Sequence, residues 1–190
     1  TIQAAINDAA TVNGDVIEVA AGSYNEGQLF VNKQLTLLGA NTGKAGNDIT
    51  RGAESIVLNS NMRIKEDNTV IDGFKFTGSA FIPGVGQIAN PPGFAPDHVD
   101  VKNNVFMNVN DHGVFVNGVD DWNIEENLFK GIGQTNGSLG NSTNSAILIW
   151  ASTNLSVTNN VAETVDYNGL GLDGVHNVTV TGNSYSNINL

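Results

Sequence analysis

The chain has 190 residues, a formal net charge of −11 and only 8 Lys plus Arg against 19 Asp plus Glu. An acidic surface of that size repels nucleic acid and anionic membranes and favours cationic partners, calcium above all. There is no cysteine, so no disulfide contributes, and no run of about 18 apolar residues exists, which excludes a transmembrane helix.

The opening at Thr1, with no initiator Met and no basic or apolar leader, reads as a mature product or an excised module. Ile2, Ala5, Ile6 and Ala9 recur at i, i+3, i+4, i+7, so residues 1–10 are predicted as a short amphipathic helix that caps one end of the fold. Three short strands follow at 15–19, 28–31 and 34–38, separated by Gly22, Gly27 and Asn32-Lys33. Residues 41–54 are polar and hold Gly43, Gly46 and Gly52, hence a loop, and strands resume at 55–58, 62–64 and 69–71. Residues 77–96 carry all four prolines together with Phe81, Ile82, Ile88 and Phe94, and are predicted as a loop insertion. A second insertion is predicted over 131–144. Both are expected to leave the same edge of the molecule, where contacts with partners are usually made.

Beyond residue 98 one phrase returns: Val99-Asp-Val-Lys-Asn-Asn104, Trp122-Asn-Ile-Glu-Glu-Asn127, Leu155-Ser-Val-Thr-Asn-Asn160 and Val178-Thr-Val-Thr-Gly-Asn183. Its final asparagines lie 23, 33 and 23 residues apart. A period in the twenties with two-residue alternation inside each unit is the mark of a coil of β-strands in which every repeat is one turn. A chain of this length then makes about six to eight coils in one domain. Superposing the repeats gives apolar inward columns, among them Val114/Ile147/Leu170, Val101/Ile124/Val157/Val180 and Val99/Trp122/Leu155/Val178. The fold class is all-β: a single parallel β-helix with an N-terminal capping helix.

The sequence resembles the right-handed parallel β-helix superfamily of pectate-lyase-like proteins. The resemblance rests on Thr1-Ile-Gln-Ala-Ala-Ile6, Gly14-Asp-Val-Ile-Glu-Val-Ala-Ala-Gly-Ser-Tyr-Asn-Glu26 and Val31-Asn-Lys-Gln-Leu-Thr-Leu-Leu-Gly39, which look like the cap and first coils of pectin methylesterases and of bacterial β-helix repeat proteins. It implies that Asn104, Asn127, Asn160 and Asn183 form an asparagine ladder at an internal turn. The motifs around the two aspartates and the arginine of pectin methylesterases are absent. Lyases of the fold neutralise a uronate carboxylate with calcium or Arg/Lys and remove its α-proton with a basic Arg or Lys. Here Arg51 and Arg63 are the only arginines, and no cation follows Lys130.

Three sets of residues are candidates for function. The 23-residue offset sets Asp97 over Asp120 and His98 over Asp121. Stacked carboxylates repel, which raises a pKa or calls for a cation, so Asp97, Asp120 and Asp121 are the candidate calcium site. The outward column Phe115/Leu148/Gly171, with Trp150 beside it, is a candidate carbohydrate-binding surface of Phe115, Leu148 and Trp150, or a contact with a neighbouring subunit. Asp111-His112, Asp166-Tyr167 with Glu163, and His176 could supply acid/base groups. Asp72, Lys102 and Glu125 stack in one column and read as a surface ion-pair ladder. No catalytic residue is assigned. The expected function is an extracellular structural or adhesive module of a secreted or cell-surface bacterial protein that binds polysaccharide, with a polysaccharide lyase, epimerase or hydrolase as the alternative.

Overall fold

The residues that precede the ladder asparagines explain why the chain turns where it does. Asn103, Glu126, Asn159 and Gly182 all have positive φ, as does Gly73, which stands before Phe74 at the equivalent place one coil earlier. A second such column, Asn68, His98, Asp121, Asn154 and Asn177, stands 23 to 33 residues apart in the same rhythm. Asn, Asp and His tolerate the left-handed region better than other side chains, so each of these columns places a sharp corner at a fixed position in the coil. Between corners the alternating segments lie flat as strands and pair with the coils on either side.

A computed structural model describes residues 1–78, 87–135, 138–139 and 144–189. Three all-parallel sheets result, making a parallel β-helix. Sheet A holds Val16–Glu18, Thr36–Leu38, Val70–Asp72, Asp100–Lys102, Asn123–Glu125, Thr153–Thr158 and His176–Thr181. Sheet B holds Gly22–Tyr24, Ser55–Leu58, Phe74–Thr77, Val105–Val109, Leu128–Ile132, Val161–Val165 and Ser184–Ile188. Sheet C holds Gln28–Val31, Asn61–Ile64, Ile88–Ala89, Val114–Asn117, Ile147–Trp150 and Leu170–Asp173. Gln134–Thr135 and Ser138–Leu139 pair antiparallel outside the coil. No helix is long and apolar enough to cross a membrane among the described residues.

The inward columns are buried as the alternation requires, and Phe76, Phe106 and Phe129 stack along the axis at 5.0 and 4.7 Å between ring centroids. Trp122 lies wholly inside, its indole N–H donating to the Pro96 carbonyl at 2.6 Å. In the last coil Leu172, Val180 and Tyr185 are exposed because no rung stacks on them among the described residues. The asparagine ladder is continuous. Asn104 N–H donates to Asn127, Asn127 N–H to Asn160 and Asn160 N–H to Asn183, each through the side-chain oxygen at 2.9–3.0 Å.

Three expectations are corrected. The helix spans Ile2–Asn7 and stops at Asp8, whose extended backbone ends it and whose carboxylate accepts the Ala10 N–H instead. The predicted 77–96 loop contains a rung of sheet C, Ile88–Ala89, with both residues buried. The excursion therefore divides in two, and its first part, with Phe81 and Ile82, lies outside the described residues. Thr77 closes the Phe74–Thr77 strand, and Gly131 and Ile132, placed in the predicted 131–144 insertion, end the sheet B strand Leu128–Ile132 instead. Finally, Asp72, Lys102 and Glu125 are aligned but form no ladder of ion pairs. Asp72 is buried and accepts from the Thr42 hydroxyl, Gly43 N–H and Asn103 amide, which ties the 39–54 loop down, while Lys102 lies 3.8 Å from Asp100. The same loop is clamped by Arg51, which donates to the Lys44 and Asn103 carbonyls and pairs with Glu54 at 2.9 Å.

Candidate functional site

Strand register fixes what the outer face of sheet C presents. One outward row runs Phe30, Arg63, Ala89, Phe115, Leu148, Gly171, and the next places Asn117 beside Trp150. Ala89 is the small member between Arg63 and Phe115 and is fully buried, and a groove of about 700 Å³ is lined by Phe30, Arg63 and Phe115 to either side of it.

Each wall has its own fastening. The segment after Ile88–Ala89 is bent back by Asn90, whose amide donates to the Phe94 and Asn117 carbonyls at 2.7 and 2.9 Å and whose oxygen accepts the Asn117 N–H at 3.0 Å. Lys65 then sits over the rings of Phe30 and Phe94, at 4.2 and 4.8 Å, which holds the two aromatic groups together at one end. At the other end Phe115 packs edge-on to Trp150 at 5.2 Å and 87°, and against the ring of His112 at 5.6 Å. Asp111 and His112 come from the turn between the sheet B and sheet C strands of this coil. Gln28 and Gln87 complete the lining with amide groups.

Among the lining side chains only Arg63 and Asp111 are charged. Arg63 is half-buried and has no hydrogen bond or ion pair among the described residues. Burial lowers its pKa and the nearby Asp111 opposes that, but a guanidinium remains protonated. His112 accepts the Ser145 N–H on Nδ1 at 2.9 Å, so the neutral ring carries its proton on Nε2, 3.9 Å from the Asp111 carboxylate. Burial pushes the His112 pKa below the ordinary value, against the opposing pull of Asp111. Because the unfolded chain then binds more protons over that interval, stability falls as the pH drops from about 7 toward the folded pKa and is flat for this group below it. A His112→Asn variant, with an amide oxygen in place of Nδ1, is expected to lose less of its urea midpoint between pH 7.5 and pH 5.5 than the parent does. Equal losses would remove His112 as the source.

The sequence candidates separate. Phe115 and Trp150 line the groove, whereas Leu148 lies in the same outward row one coil on, outside the lining. Asp111 and His112 join them; Asp166-Tyr167, Glu163 and His176 do not. Lys130 pairs with Glu163 on the outside of sheet B at 2.9 Å. Asp97 and Asp120 do stack, but as a turn ladder: Asp97 accepts the Asp120 N–H at 2.9 Å, and Asp120 accepts the Thr153 hydroxyl and Asn154 amide at 2.7 and 2.8 Å. These donors, Thr153 first, hold the Asp120 carboxyl below the usual carboxylate range, the reverse of the rise expected from stacked acids. Asp121 faces His98 at 3.1 Å, and both occupy the left-handed corner. No group of three or more His, Cys, Asp or Glu side chains is arranged to hold a metal among the described residues.

Sequence reasoning missed Arg63, Phe30, Phe94 and Asn90. Phe30 and Arg63 lie in the Gln28–Val31 and Asn61–Ile64 strands, which register with the later coils only through the two-residue rung Ile88–Ala89, and Asn90 and Phe94 lie in the segment after that rung.

No family model matches the chain, and no curated protein matches it. A solved structure of a candidate glycosyl hydrolase from Parabacteroides merdae is similar in fold, with a TM-score of 0.52 and 11% identity over 91% of this chain and 83% of that one. At that identity the likeness establishes the architecture and nothing finer.

Proposed function

We propose that the outer face of sheet C is a polysaccharide-binding surface, and that the protein is a glycan-recognition module of a secreted or cell-surface bacterial protein. The observation that carries this reading is the aromatic groove itself: Phe30, Phe94, Phe115 and Trp150 beside side-chain amides, with Arg63 making no hydrogen bond or ion pair among the described residues. Flat apolar rings receive the C–H faces of sugars, and amides and charges fixed by strand register take the hydroxyls. A parallel sheet suits such a ligand, since its rungs repeat every 4.8 Å or so along one direction. That a protein of like fold is described as a candidate glycosyl hydrolase is in keeping with a carbohydrate ligand.

Recognition is favoured over cleavage by one count. Hydrolysis by paired carboxylates asks for two carboxyl groups roughly 5–10 Å apart, and Asp111 is the one carboxylate in the lining. The test uses the two tryptophans, since Trp122 is sealed in the core and Trp150 is 42% exposed in the groove. Titration with a panel of polysaccharides is expected to shift the emission of Trp150, and a Trp150→Phe variant to lose that shift, with no reducing ends released. Release of reducing ends would establish hydrolysis instead, and a panel that moves neither emission nor retention on glycan gels would sink the reading.

A further inference from the structure

The charges of the groove select among glycans, and this step rests on the glycan-binding reading above. Within the described lining Arg63 and Asp111 offset one another and His112 is neutral, and the one further cation beside it, Lys65, lies over the Phe30 and Phe94 rings at the end away from Asp111. Around it the whole chain carries −11, a field that slows and weakens the approach of a chain bearing a carboxylate or sulfate on each sugar. Asp111 would also repel such a group at close range.

The two charged side chains line the same groove, yet no ion pair joins them. They reach the groove from different coils, with the Ala89 rung between. What fits between an unbridged guanidinium and an unbridged carboxylate is a group that accepts on one side and donates on the other. Hydroxyls do both; an ionised carboxylate only accepts. The His112 Nε2–H adds a second donor at the Asp111 end. From Phe30 to Trp150 the row crosses four strand spacings, about 19 Å, enough for a short stretch of sugar chain.

We infer that the ligand is a neutral glycan whose adjacent hydroxyls bridge Arg63 and Asp111 while its ring faces lie on Phe115 and Trp150. Length-matched hexasaccharides test this by calorimetry: cellohexaose, xylohexaose and mannohexaose against hexagalacturonate and hexamannuronate. At least one neutral sugar is expected to bind, with a Kd that changes less than about twofold between roughly 50 and 500 mM NaCl. Asp111→Asn and Arg63→Gln are each expected to weaken that binding about tenfold, with circular dichroism unchanged. Tighter binding of the uronates than of every neutral sugar, falling steeply with salt and strengthened by Asp111→Asn, would overturn the inference and leave glycan recognition standing. Failure of every hexasaccharide to bind or to move Trp150 emission would overturn both.

Discussion

Replacing Asn127 by alanine is expected to destabilise the protein by about 3–5 kcal/mol, because several buried polar groups lose their partner at once. The Asn127 oxygen accepts from the Asn104 backbone N–H at 2.9 Å and its side-chain amide at 3.3 Å, and the Asn127 amide donates to the Val101 carbonyl at 2.8 Å and the Asn160 oxygen at 3.0 Å. Asn127 itself is 1% exposed, so water does not replace these bonds. An unpaired buried donor or acceptor costs about 1–3 kcal/mol; the Asn104 N–H is stranded, and the Val101 C=O and the Asn160 side-chain oxygen each lose a donor. For a chain of this length the melting temperature should fall by about 10 °C. Asn127→Asp separates the two halves of the amide: it keeps the acceptor for Asn104 but sets a carboxylate against the Val101 carbonyl, and it should be no better tolerated than alanine. Asn183, at the partly buried end of the ladder, has fewer neighbours to strand, and its alanine variant should cost about half as much. Urea denaturation decides the matter. A loss under about 1 kcal/mol for Asn127→Ala would mean that the ladder reports the fold without supporting it.

That ladder was also the part of the molecule most legible in the sequence, and for the same physical reason. A solenoid repeats its environment, so Asn104, Asn127, Asn160 and Asn183 recur because each meets the same unsatisfied corner one coil apart. The inward columns were readable likewise, since a buried strand face admits only apolar side chains at every second position. Where repetition failed, so did the reading. The rung Ile88–Ala89 is two residues long and is followed by Pro91-Pro92, so its composition is that of a loop. With that rung hidden, Arg63 had no visible register with Phe115, and the groove could not be assembled from sequence. The acidic cluster recurs for a different reason. Asp121 and His98 share a position because that corner needs positive φ, which Asp and His adopt readily, and Asp97 and Asp120 share theirs because each carboxylate caps backbone or side-chain donors of the coil beyond. The recurrence of acids there has a backbone cause, independent of any ligand.

Phe115→Ala is expected to weaken glycan binding by about 30- to 100-fold, the loss of roughly 2–3 kcal/mol that follows truncation of a central aromatic anchor. Phe115 stands in the middle of the outward row, with Ala89 on one side and Leu148 on the other, and its ring braces both Trp150 and His112. Without it the groove widens by a ring, Trp150 loses its edge contact, and the imidazole that faces Asp111 loses the surface it lies on. Because the side chain is only half-buried, outside the core, the cost to stability should be smaller, about 1–2 kcal/mol. Phe115→Leu distinguishes filling from stacking. Leucine restores most of the volume and most of the stability but offers no flat face, so it should still bind about tenfold more weakly than the parent. Binding of both variants within about threefold of the parent would show that the sugar does not rest on this ring, and would move the contact surface elsewhere on sheet C.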